Sequence, residues 1–284
     1  MFSLNCKGKL LLIDKPLVMG ILNITPDSFY ETSRQQTNEE ILVQATKMIN
    51  EGADIIDVGG QSTRPGSKRI SIKEELQRVL PAVEIILKNF PDAIISVDTY
   101  QSKVAEECVK AGASIINDIS AGNMDSDMIP AVAKMQVPYI CMHIKGTPEN
   151  MQENAAYENV TREVLDFFIL KIDECKRAGI NDVIIDAGFG FGKTISHNFT
   201  LLKELPAFAM LQKPILAGLS RKSTIYKTLG LSAGEALNGT TVLNTLALHN
   251  GANILRVHDV KEAKETIVLY HQYTNATLNL SKGM

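Results

Sequence analysis

Residues 183–194 combine residue types that could do chemistry, and they read Val-Ile-Ile-Asp-Ala-Gly-Phe-Gly-Phe-Gly-Lys-Thr. Asp186 ends an apolar run, and three glycines that alternate with Phe189 and Phe191 follow it. Glycine lets the backbone turn tightly and approach a ligand closely. A phenylalanine ring offers a flat apolar face to such a ligand. The segment therefore predicts a binding site that contains a carboxylate and aromatic rings.

The same segment is one residue short of a phosphate-binding P-loop. A P-loop has four residues between its first glycine and Gly-Lys-Thr, so that successive N–H groups surround a phosphate. Three residues separate Gly188 from Gly192 here, and residue 187 is alanine. The spacing therefore argues against a nucleotide P-loop.

Polar side chains also follow the other apolar runs of the chain. They are Asn23, the segment 61–64 (Gln-Ser-Thr-Arg), Asp98, Asn117, Asp118, His143, the segment 220–222 (Ser-Arg-Lys), Arg256 and His258. One subset supplies two carboxylates, an amide and an ammonium group. Its members are Asp98, Asn117, Asp186 and Lys222. Such groups can pair with a flat heterocycle that carries N–H donors and a carbonyl group. The alternative is that each carboxylate caps the following helix, but four such residues at one site favour ligand binding.

A second subset is rich in cations and hydrogen-bond donors. Its members are Asn23, Arg64, Arg256 and His258, with Ser220 and Arg221 as further candidates. Arg256 and His258 lie two residues apart, so on a strand their side chains share one face. The subset predicts an anion site, and the alternative is ordinary charge on exposed loops. His143 could be catalytic, or it could pack in the floor of the site.

The elements that would position these residues alternate regularly along the chain. The predicted strands are 18–25, 54–60, 93–99, 114–120, 138–143, 182–188, 214–220 and 252–258. The predicted helices are 38–52, 72–88, 102–112, 128–136, 157–179, 198–205, 223–229, 234–250 and 260–273. Strands that are apolar throughout are typical of parallel sheets buried on both faces.

Eight strand–helix units at this length predict an α/β protein with the (β/α)8 TIM-barrel fold. We assign residues 1–284 to a single domain with a core of about 15–273. An open doubly wound sheet is the alternative, but no Gly-x-Gly-x-x-Gly follows the first predicted strand. Active sites of these barrels lie at the C-terminal ends of the strands, which would gather both polar subsets around one mouth.

Composition excludes several classes of protein. The chain has 284 residues, 45% of them hydrophobic, and a formal net charge of −3. No basic stripe suggests nucleic-acid binding, no apolar run is long enough for a membrane helix, and the first residues do not resemble a secretory signal. The four cysteines lack metal-site spacing and predict reduced thiols in a cytoplasmic protein.

Seven motifs, taken in order, resemble those of dihydropteroate synthase. They are 19–29 (Met-Gly-Ile-Leu-Asn-Ile-Thr-Pro-Asp-Ser-Phe), 57–66 (Asp-Val-Gly-Gly-Gln-Ser-Thr-Arg-Pro-Gly), 96–99 (Ser-Val-Asp-Thr), 116–119 (Ile-Asn-Asp-Ile), 186–193, 218–223 (Gly-Leu-Ser-Arg-Lys-Ser) and 256–260 (Arg-Val-His-Asp-Val). The resemblance implies a barrel, usually homodimeric, that joins 6-hydroxymethyl-7,8-dihydropterin diphosphate to 4-aminobenzoate. The products would be 7,8-dihydropteroate and diphosphate. Mg²⁺ would be the cofactor, and sulfonamides would be inhibitors.

The resemblance also implies a role for each matching residue. The pterin ring would be bound by Asp98, Asn117, Asp186 and Lys222. The diphosphate would be bound by Asn23, Arg64, Arg256 and His258, with Asn23 also a ligand of Mg²⁺. The 4-aminobenzoate would be framed by Thr63, Arg64, Pro65, Phe191, Ser220 and Lys222. Catalysis would consist of charge stabilisation of the leaving diphosphate by Arg64, Lys222, Arg256 and His258, with no nucleophilic side chain.

The chain departs from the family pattern in three loops. The family often has Asp-Ser-Phe-Ser-Asp-Gly-Gly in the first loop, and residues 27–33 read Asp-Ser-Phe-Tyr-Glu-Thr-Ser. Asp-Pro-Gly becomes Asp-Ala-Gly at 186–188, and Met-Gln-Gly becomes Ile-Lys-Gly at 144–146. We expect these changes to tune loop closure and the sulfonamide response, with Glu31 keeping the loop carboxylate and Lys145 adding a charge near the mouth.

Two other functions would use a similar barrel. A pterin-dependent methyltransferase shares the carboxylate and amide groups that read the pterin, but it needs no diphosphate cluster such as Arg64, Arg256 and His258. A non-catalytic pterin-binding paralogue would have lost anion-site residues, and all of them are present here.

Overall fold

The computed structural model describes residues 1–24, 34–63, 66–153 and 155–276, and the side chains of 34–37 are not described. The strands are β1 (Phe2–Cys6), β2 (Lys9–Ile13), β3 (Leu17–Asn23), β4 (Ile55–Gly59), β5 (Ile95–Asp98), β6 (Ile115–Asp118), β7 (Tyr139–Met142), β8 (Val183–Asp186), β9 (Ile215–Ala217) and β10 (Ile254–Val257). The helices are α1 (Arg34–Asn50), α2 (Ile72–Asn89), α3 (Ser102–Lys110), α4 (Met128–Met135), α5 (Val160–Ala178), α6 (Ile195–Lys203), α7 (Ser223–Leu229), α8 (Leu237–His249) and α9 (Val260–Asn275).

The strands β3 to β10 form a closed parallel barrel in the order β10-β3-β4-β5-β6-β7-β8-β9. Almost every residue of these strands is buried, because side chains alternate between the barrel interior and the surrounding helices. The predicted (β/α)8 TIM barrel is therefore confirmed, and each predicted barrel strand is present within a few residues of its expected position.

The register of the barrel aligns polar residues at its mouth. Asn23 on β3 pairs with Gly59 on β4, Gly59 with Asp98 on β5, and Asp98 with Asn117 on β6. Gly59 faces the two neighbouring side chains of this row, since a Cβ there would lie 3.4 Å from Cβ of Asp98 and 3.7 Å from Oδ1 of Asn23. Three of the predicted site residues thus lie at one height on neighbouring strands.

The opposite end of the barrel is closed by a hairpin that the sequence analysis did not predict. Strands β1 and β2 pair in antiparallel fashion, and Leu4, Cys6 and Ile13 are buried against the lower ends of the barrel strands. The hairpin precedes the predicted core of about 15–273, so the hydrophobic core begins earlier than expected. It fills the floor with apolar side chains and leaves the mouth as the polar end.

The helices differ from the predicted ones mainly at their ends. The predicted helix 157–179 begins at Val160, where the Asn159 side chain caps it, and ends at Gly179 in a left-handed conformation. The predicted helix 198–205 begins earlier, at Ile195, and a 3₁₀ helix, Leu205–Leu211, follows it. Among the helices of the described segments, none is long and apolar enough to cross a membrane.

Candidate active site

The centre of the mouth is an ion-pair network around Arg256. Its Nε donates to Oδ2 of Asp57 at 2.6 Å, and its Nη2 donates to Oδ2 of Asp98. Asn117 also donates from Nδ2 to Oδ2 of Asp57, at 3.0 Å. The two subsets separated in the sequence analysis are therefore one connected cluster, since Arg256 of the anion subset contacts Asp98 of the ring-binding subset.

Burial and charge act in opposite directions on this network. Burial raises the pKa of Asp98 to about 7, although the neighbouring Arg256 opposes the shift. Burial disfavours the charge of Arg256, but Asp57 and Asp98 raise the pKa of this guanidinium above its ordinary value. Arg256 therefore remains a cation with two of its donor groups directed to carboxylates.

Asp57 is a site residue that the sequence analysis missed. It begins the motif 57–66, to which no role was given at this position, and it lies fully buried within the apolar run of β4 instead of at its end. A signal was available, because a carboxylate inside a strand buried on both faces requires partners. Its position two residues before Gly59 also predicts that both residues share a face.

Lys222 approaches the mouth from the loop after β9. Its Nζ donates to the carbonyl oxygen of Phe189 and lies 4.7 Å from the centre of the Phe191 ring. A Cβ at Gly218 would lie 3.7 Å from this Nζ and 3.8 Å from Oδ2 of Asp186, so Lys222 and Asp186 approach the same point. Burial lowers the pKa of Lys222 to about 8, against the opposing effect of the Asp186 carboxylate.

Asp186 ends β8 and is buried beside the glycine-rich loop. Its Oδ1 accepts a hydrogen bond from the backbone N–H of Gly188 at 2.8 Å. Burial raises the pKa of Asp186, and the Lys222 cation opposes that rise. The hydrogen bond to Gly188 resembles the alternative in which the carboxylate caps a following turn or helix. The second carboxylate oxygen of Asp186, Oδ2, lies on the side of Lys222.

The glycine-rich loop is held from below by Lys193, whose side chain is buried. Its Nζ lies 3.0 Å from the Gly188 oxygen, 3.1 Å from the Phe191 oxygen, and 2.9 Å from Nδ1 of His143. Burial, together with Lys193, lowers the pKa of His143 to about 2. The His143 ring packs edge-on against Phe167, a contact that favours the packing interpretation of His143.

The remaining residues of the predicted anion site divide into two groups. Ser220 Oγ lies 3.0 Å from Nδ1 of His258, and burial lowers the pKa of His258 to about 4, with Arg256 adding to the effect. Arg221 instead pairs with Asp259 through two 2.8 Å contacts and donates to loop carbonyl groups. The structure therefore gives Arg221 a structural contact in place of the anion-binding role considered for it.

Some of the predicted site residues lie outside the described residues. They are Arg64, Pro65 and the altered first loop with Glu31, while Thr63 is described and half-buried. Phe191 is buried with Tyr100, Ile119, Met142, Ile144 and Met151 in an apolar cluster. Lys145 lies 3.4 Å from Glu163 and 4.2 Å from the Tyr157 ring centre, so its charge is directed to the start of α5.

Comparisons with known proteins show the family of the chain. A family described as "Pterin binding enzyme" matches residues 19–258. The dihydropteroate synthase of Escherichia coli (strain K12) is 44% identical over 267 residues, which cover 93% of this chain and 94% of that protein.

Two solved structures extend the comparison. The Yersinia pestis dihydropteroate synthase with a sulfonamide drug has a TM-score of 0.91 and 39% identity, covering 97% of this chain and 100% of that one. The Xanthomonas albilineans enzyme with 4-aminobenzoic acid has a TM-score of 0.90 and 37% identity, covering 97% of this chain and 99% of that one. From the family match and the identity over most of its length, the chain belongs to the dihydropteroate synthase family of folate biosynthesis.

Proposed function

We propose that the mouth of the barrel joins 6-hydroxymethyl-7,8-dihydropterin diphosphate to 4-aminobenzoate, with the roles given below. The observation that carries this proposal is the convergence of Asp98, Asn117, Asp186, Lys222 and Arg256 on one mouth. A flat ring with amino and imino donors suits the two carboxylates and the amide. The Lys222 ammonium supplies a donor for the carbonyl group or a ring nitrogen.

The diphosphate half of the substrate would lie beside the pterin pocket. Arg256, His258, Asn23 and Arg64 are its proposed ligands. Arg256 can serve both halves because Nη1, unlike Nε and Nη2, makes no hydrogen bond to a described residue. His258 follows β10 and keeps part of its surface exposed, while its imidazole packs against Ser220. Its lowered pKa makes it a neutral hydrogen-bond donor near pH 7.

The 4-aminobenzoate would lie at the rim. Its proposed frame is Thr63, Arg64, Pro65, Phe191, Ser220 and Lys222. Lys222 already lies over the Phe191 ring, so a cation and an aromatic face are adjacent there, as an aromatic carboxylate requires. The complex of the Xanthomonas albilineans enzyme with 4-aminobenzoic acid supports this substrate class.

The reaction needs positioning and charge stabilisation more than covalent chemistry. The bond between the pterin methylene carbon and the diphosphate oxygen breaks, and the electron pair leaves with the oxygen. Arg64, Arg256, His258 and Lys222 stabilise the departing anion, while Asp98 and Asp186 stabilise the cationic pterin. The amine of 4-aminobenzoate, held in place at the rim, then forms the new bond to carbon and loses a proton.

Mg²⁺ is the proposed cofactor, and the residues present fit it. Among the described residues, no group of three or more His, Cys, Asp or Glu side chains could enclose a metal. Asn23 ends β3 with an exposed side chain at the mouth, and its amide oxygen is a ligand of the type that Mg²⁺ prefers. Mg²⁺ usually takes few protein ligands together with substrate phosphate oxygens, where it would neutralise charge on the diphosphate.

The decisive experiment measures diphosphate release from the pterin diphosphate, with and without 4-aminobenzoate and Mg²⁺. We expect release that depends on both and equals the dihydropteroate formed. Asp186→Asn should lower kcat/KM by at least about 30-fold, since it removes a buried charged partner of the ring. The matched control is Asp182→Asn, just before the other end of β8, where the carboxylate bonds the N–H of Asn5. Tight pterin binding without release in the wild type would contradict the proposed reaction.

We also propose that the enzyme is a homodimer that buries the outer faces of α8 and α9. These helices expose Val242 and Leu246, and Leu269 and Tyr273, each pair at i, i+4 spacing. Leu269 is 71% and Tyr273 70% exposed, and an apolar patch of this kind marks an interaction surface. Light scattering on the wild type, on Leu269→Asp and on Leu170→Asp tests this, since Leu170 on α5 is 72% exposed elsewhere. A dimer lost with both variants or with neither would contradict the assignment.

We also propose that the protein is cytoplasmic, and the state of its cysteines supports this. Cys6, Cys108, Cys141 and Cys175 are all free and buried in the structure, which suits a reducing compartment. Recovery of activity in a membrane or secreted fraction would contradict the location.

A further inference from the structure

Asp57 lies between the two halves of the proposed site and joins them. It is on β4, with β10 two strands away on one side and β6 two strands away on the other. Its Oδ2 accepts from Nε of Arg256, on β10, and from Nδ2 of Asn117, on β6. One buried oxygen thus connects the proposed ligand of the diphosphate with a proposed ligand of the pterin.

Stability alone does not account for a carboxylate in this position. Asp57 is fully buried, and its Oδ1 has no hydrogen-bond partner among the described residues. A buried ion pair is commonly no more stable than apolar side chains of similar volume, and an unpaired buried oxygen adds a further cost. A site that retains such a group is a candidate for a functional role.

Asp57 fixes the orientation of the Asn117 amide. An ionised carboxylate only accepts hydrogen bonds, so the Asn117 NH₂ group must face it. The Oδ1 atom of Asn117 is then directed away from Asp57 and is left as an acceptor for an N–H donor of the ring. An asparagine whose amide could turn freely would present a donor or an acceptor equally well.

Asp57 also fixes the plane of the Arg256 guanidinium. Nε is held by Asp57 and Nη2 by Asp98, and a guanidinium is a rigid planar fork. Two fixed donors define that plane, and with it the direction in which Nη1 can meet an anion. Asp98 would exchange part of its contact with Arg256 for a contact with the pterin ring when substrate binds. Asp57, in contrast, would act on the substrate only through Arg256 and Asn117.

We propose that Asp57 is the positioning residue that holds Arg256 and the Asn117 amide in one fixed arrangement, so that the enzyme binds the pterin and the diphosphate in register. The assignment rests on the proposed function, because that function defines the roles of Arg256 and Asn117. Asp57 touches neither substrate, and its effect is transmitted through these two side chains.

The test is Asp57→Asn, measured beside Asp54→Asn. The new amide keeps the size of the side chain but weakens the arrangement in either orientation. With its oxygen at the position of Oδ2, the ion pair with Arg256 is lost and the NH₂ group is buried without an acceptor; with its NH₂ group there, Arg256 and Asn117 both lose their acceptor. We expect kcat/KM for the pterin diphosphate to fall by at least about 10-fold, as for other residues that orient ligand-binding groups. Asp54 precedes the opposite end of β4 and accepts from Lys264 and from the Val18 N–H, so its variant should keep wild-type kinetics.

A double-mutant cycle separates positioning from general destabilisation. Calorimetry would give the Kd of 6-hydroxymethylpterin for the wild type, Asp57→Asn, Asn117→Ala and the double variant. If Asp57 acts through Asn117, the loss caused by Asp57→Asn shrinks when Asn117 is already alanine. Additive losses would overturn the proposal, because a global effect of the substitution is independent of Asn117.

The outcomes distinguish this proposal from the proposed function. A wild-type protein that releases no diphosphate refutes the function, whereas an active wild type with an equally active Asp57→Asn variant refutes only the positioning role. Unfolding curves of both aspartate variants control for stability. If Asp57→Asn does not fold, Asp57→Ser enters the same comparison, since its hydroxyl group carries no charge and, on a shorter side chain, lies farther from Arg256 and Asn117 than the carboxylate oxygen.

Discussion

The pH dependence of catalysis tests the assigned role of Lys222 directly. The ammonium form is the one that donates hydrogen bonds and stabilises negative charge. Burial lowers the pKa of this lysine to about 8, with Asp186 opposing the shift. Activity that needs the protonated form should therefore be lost as pH rises through about 8 in the free enzyme. The perturbation is the replacement Lys222→Arg, which keeps a cation at every accessible pH.

The size of the effect follows from the two pKa values at the site. With a pKa of about 8, Lys222 is half protonated at pH 8 and roughly one-eleventh protonated at pH 9, so kcat/KM should fall about 5-fold from pH 8 to pH 9 and about 10-fold per unit above pH 9. Asp98, whose pKa burial raises to about 7, would lose its charge below that pH and give a limb of opposite sign. His258 and His143 add no limb between pH 6 and 9, since burial lowers the pKa of His258 to about 4 and of His143 to about 2.

The assay is kcat/KM for the pterin diphosphate from pH 6 to 10 at saturating 4-aminobenzoate and Mg²⁺. We expect a bell-shaped profile in the wild type and the loss of its alkaline limb in Lys222→Arg. Lys145→Arg is the matched control, because that lysine contacts Glu163 and Tyr157 instead of the site, and it should keep both limbs. An alkaline limb that persists unchanged in Lys222→Arg would refute the reasoning, because another group would then be titrating.

Two further predictions concern the glycine-rich loop. Lys193→Met removes the amino group that donates to the oxygens of Gly188 and Phe191 and should lower the free energy of unfolding by roughly 1–3 kcal/mol, measured by urea denaturation. An unchanged midpoint would contradict this role. Gly192→Ala should cost more than the roughly 1–2 kcal/mol of a left-handed conformation alone, because φ is +63° and a Cβ would lie 2.5 Å from the oxygen of residue 145. Gly179→Ala is its control, since φ is +93° there and nothing lies within 4 Å, and equal losses in the two variants would exclude the proposed steric clash.

Much of the barrel was predictable because each strand is a short apolar run that ends in a polar residue. The floor was not predicted, since the hairpin strands β1 and β2 bury only part of each strand and expose Leu10 and Leu12. Lys7 and Gly8 both have positive φ at its turn, and a Lys-Gly pair is a weaker turn signal than Asn-Gly. A hairpin that depends on tertiary packing leaves little periodicity to detect.

The site residues at strand ends were predictable for a related reason, whereas their partners were not. The barrel brings the ends of all strands together, so Asp98, Asn117 and Asp186 can be grouped from the sequence. The pair between Arg256 and Asp98 joins β10 to β5, and no local pattern encodes a contact between strands so far apart in sequence. Asp57 was missed since its neighbours are apolar, although a buried carboxylate is itself the signal.

The charged side chains described at the mouth indicate that binding of the diphosphate needs cations beyond Arg256 and Lys222. Asp57, Asp98 and Asp186 face Arg256 and Lys222, so the described cations are already largely offset by carboxylates. A diphosphate that enters this mouth adds negative charge that two partly neutralised cations cannot balance, and buried unbalanced charge is costly. Mg²⁺ and the side chain of Arg64 are the groups proposed to supply that balance. It follows that the apparent Kd of diphosphate should depend steeply on Mg²⁺, whereas the Kd of 6-hydroxymethylpterin, which brings no charge, should not.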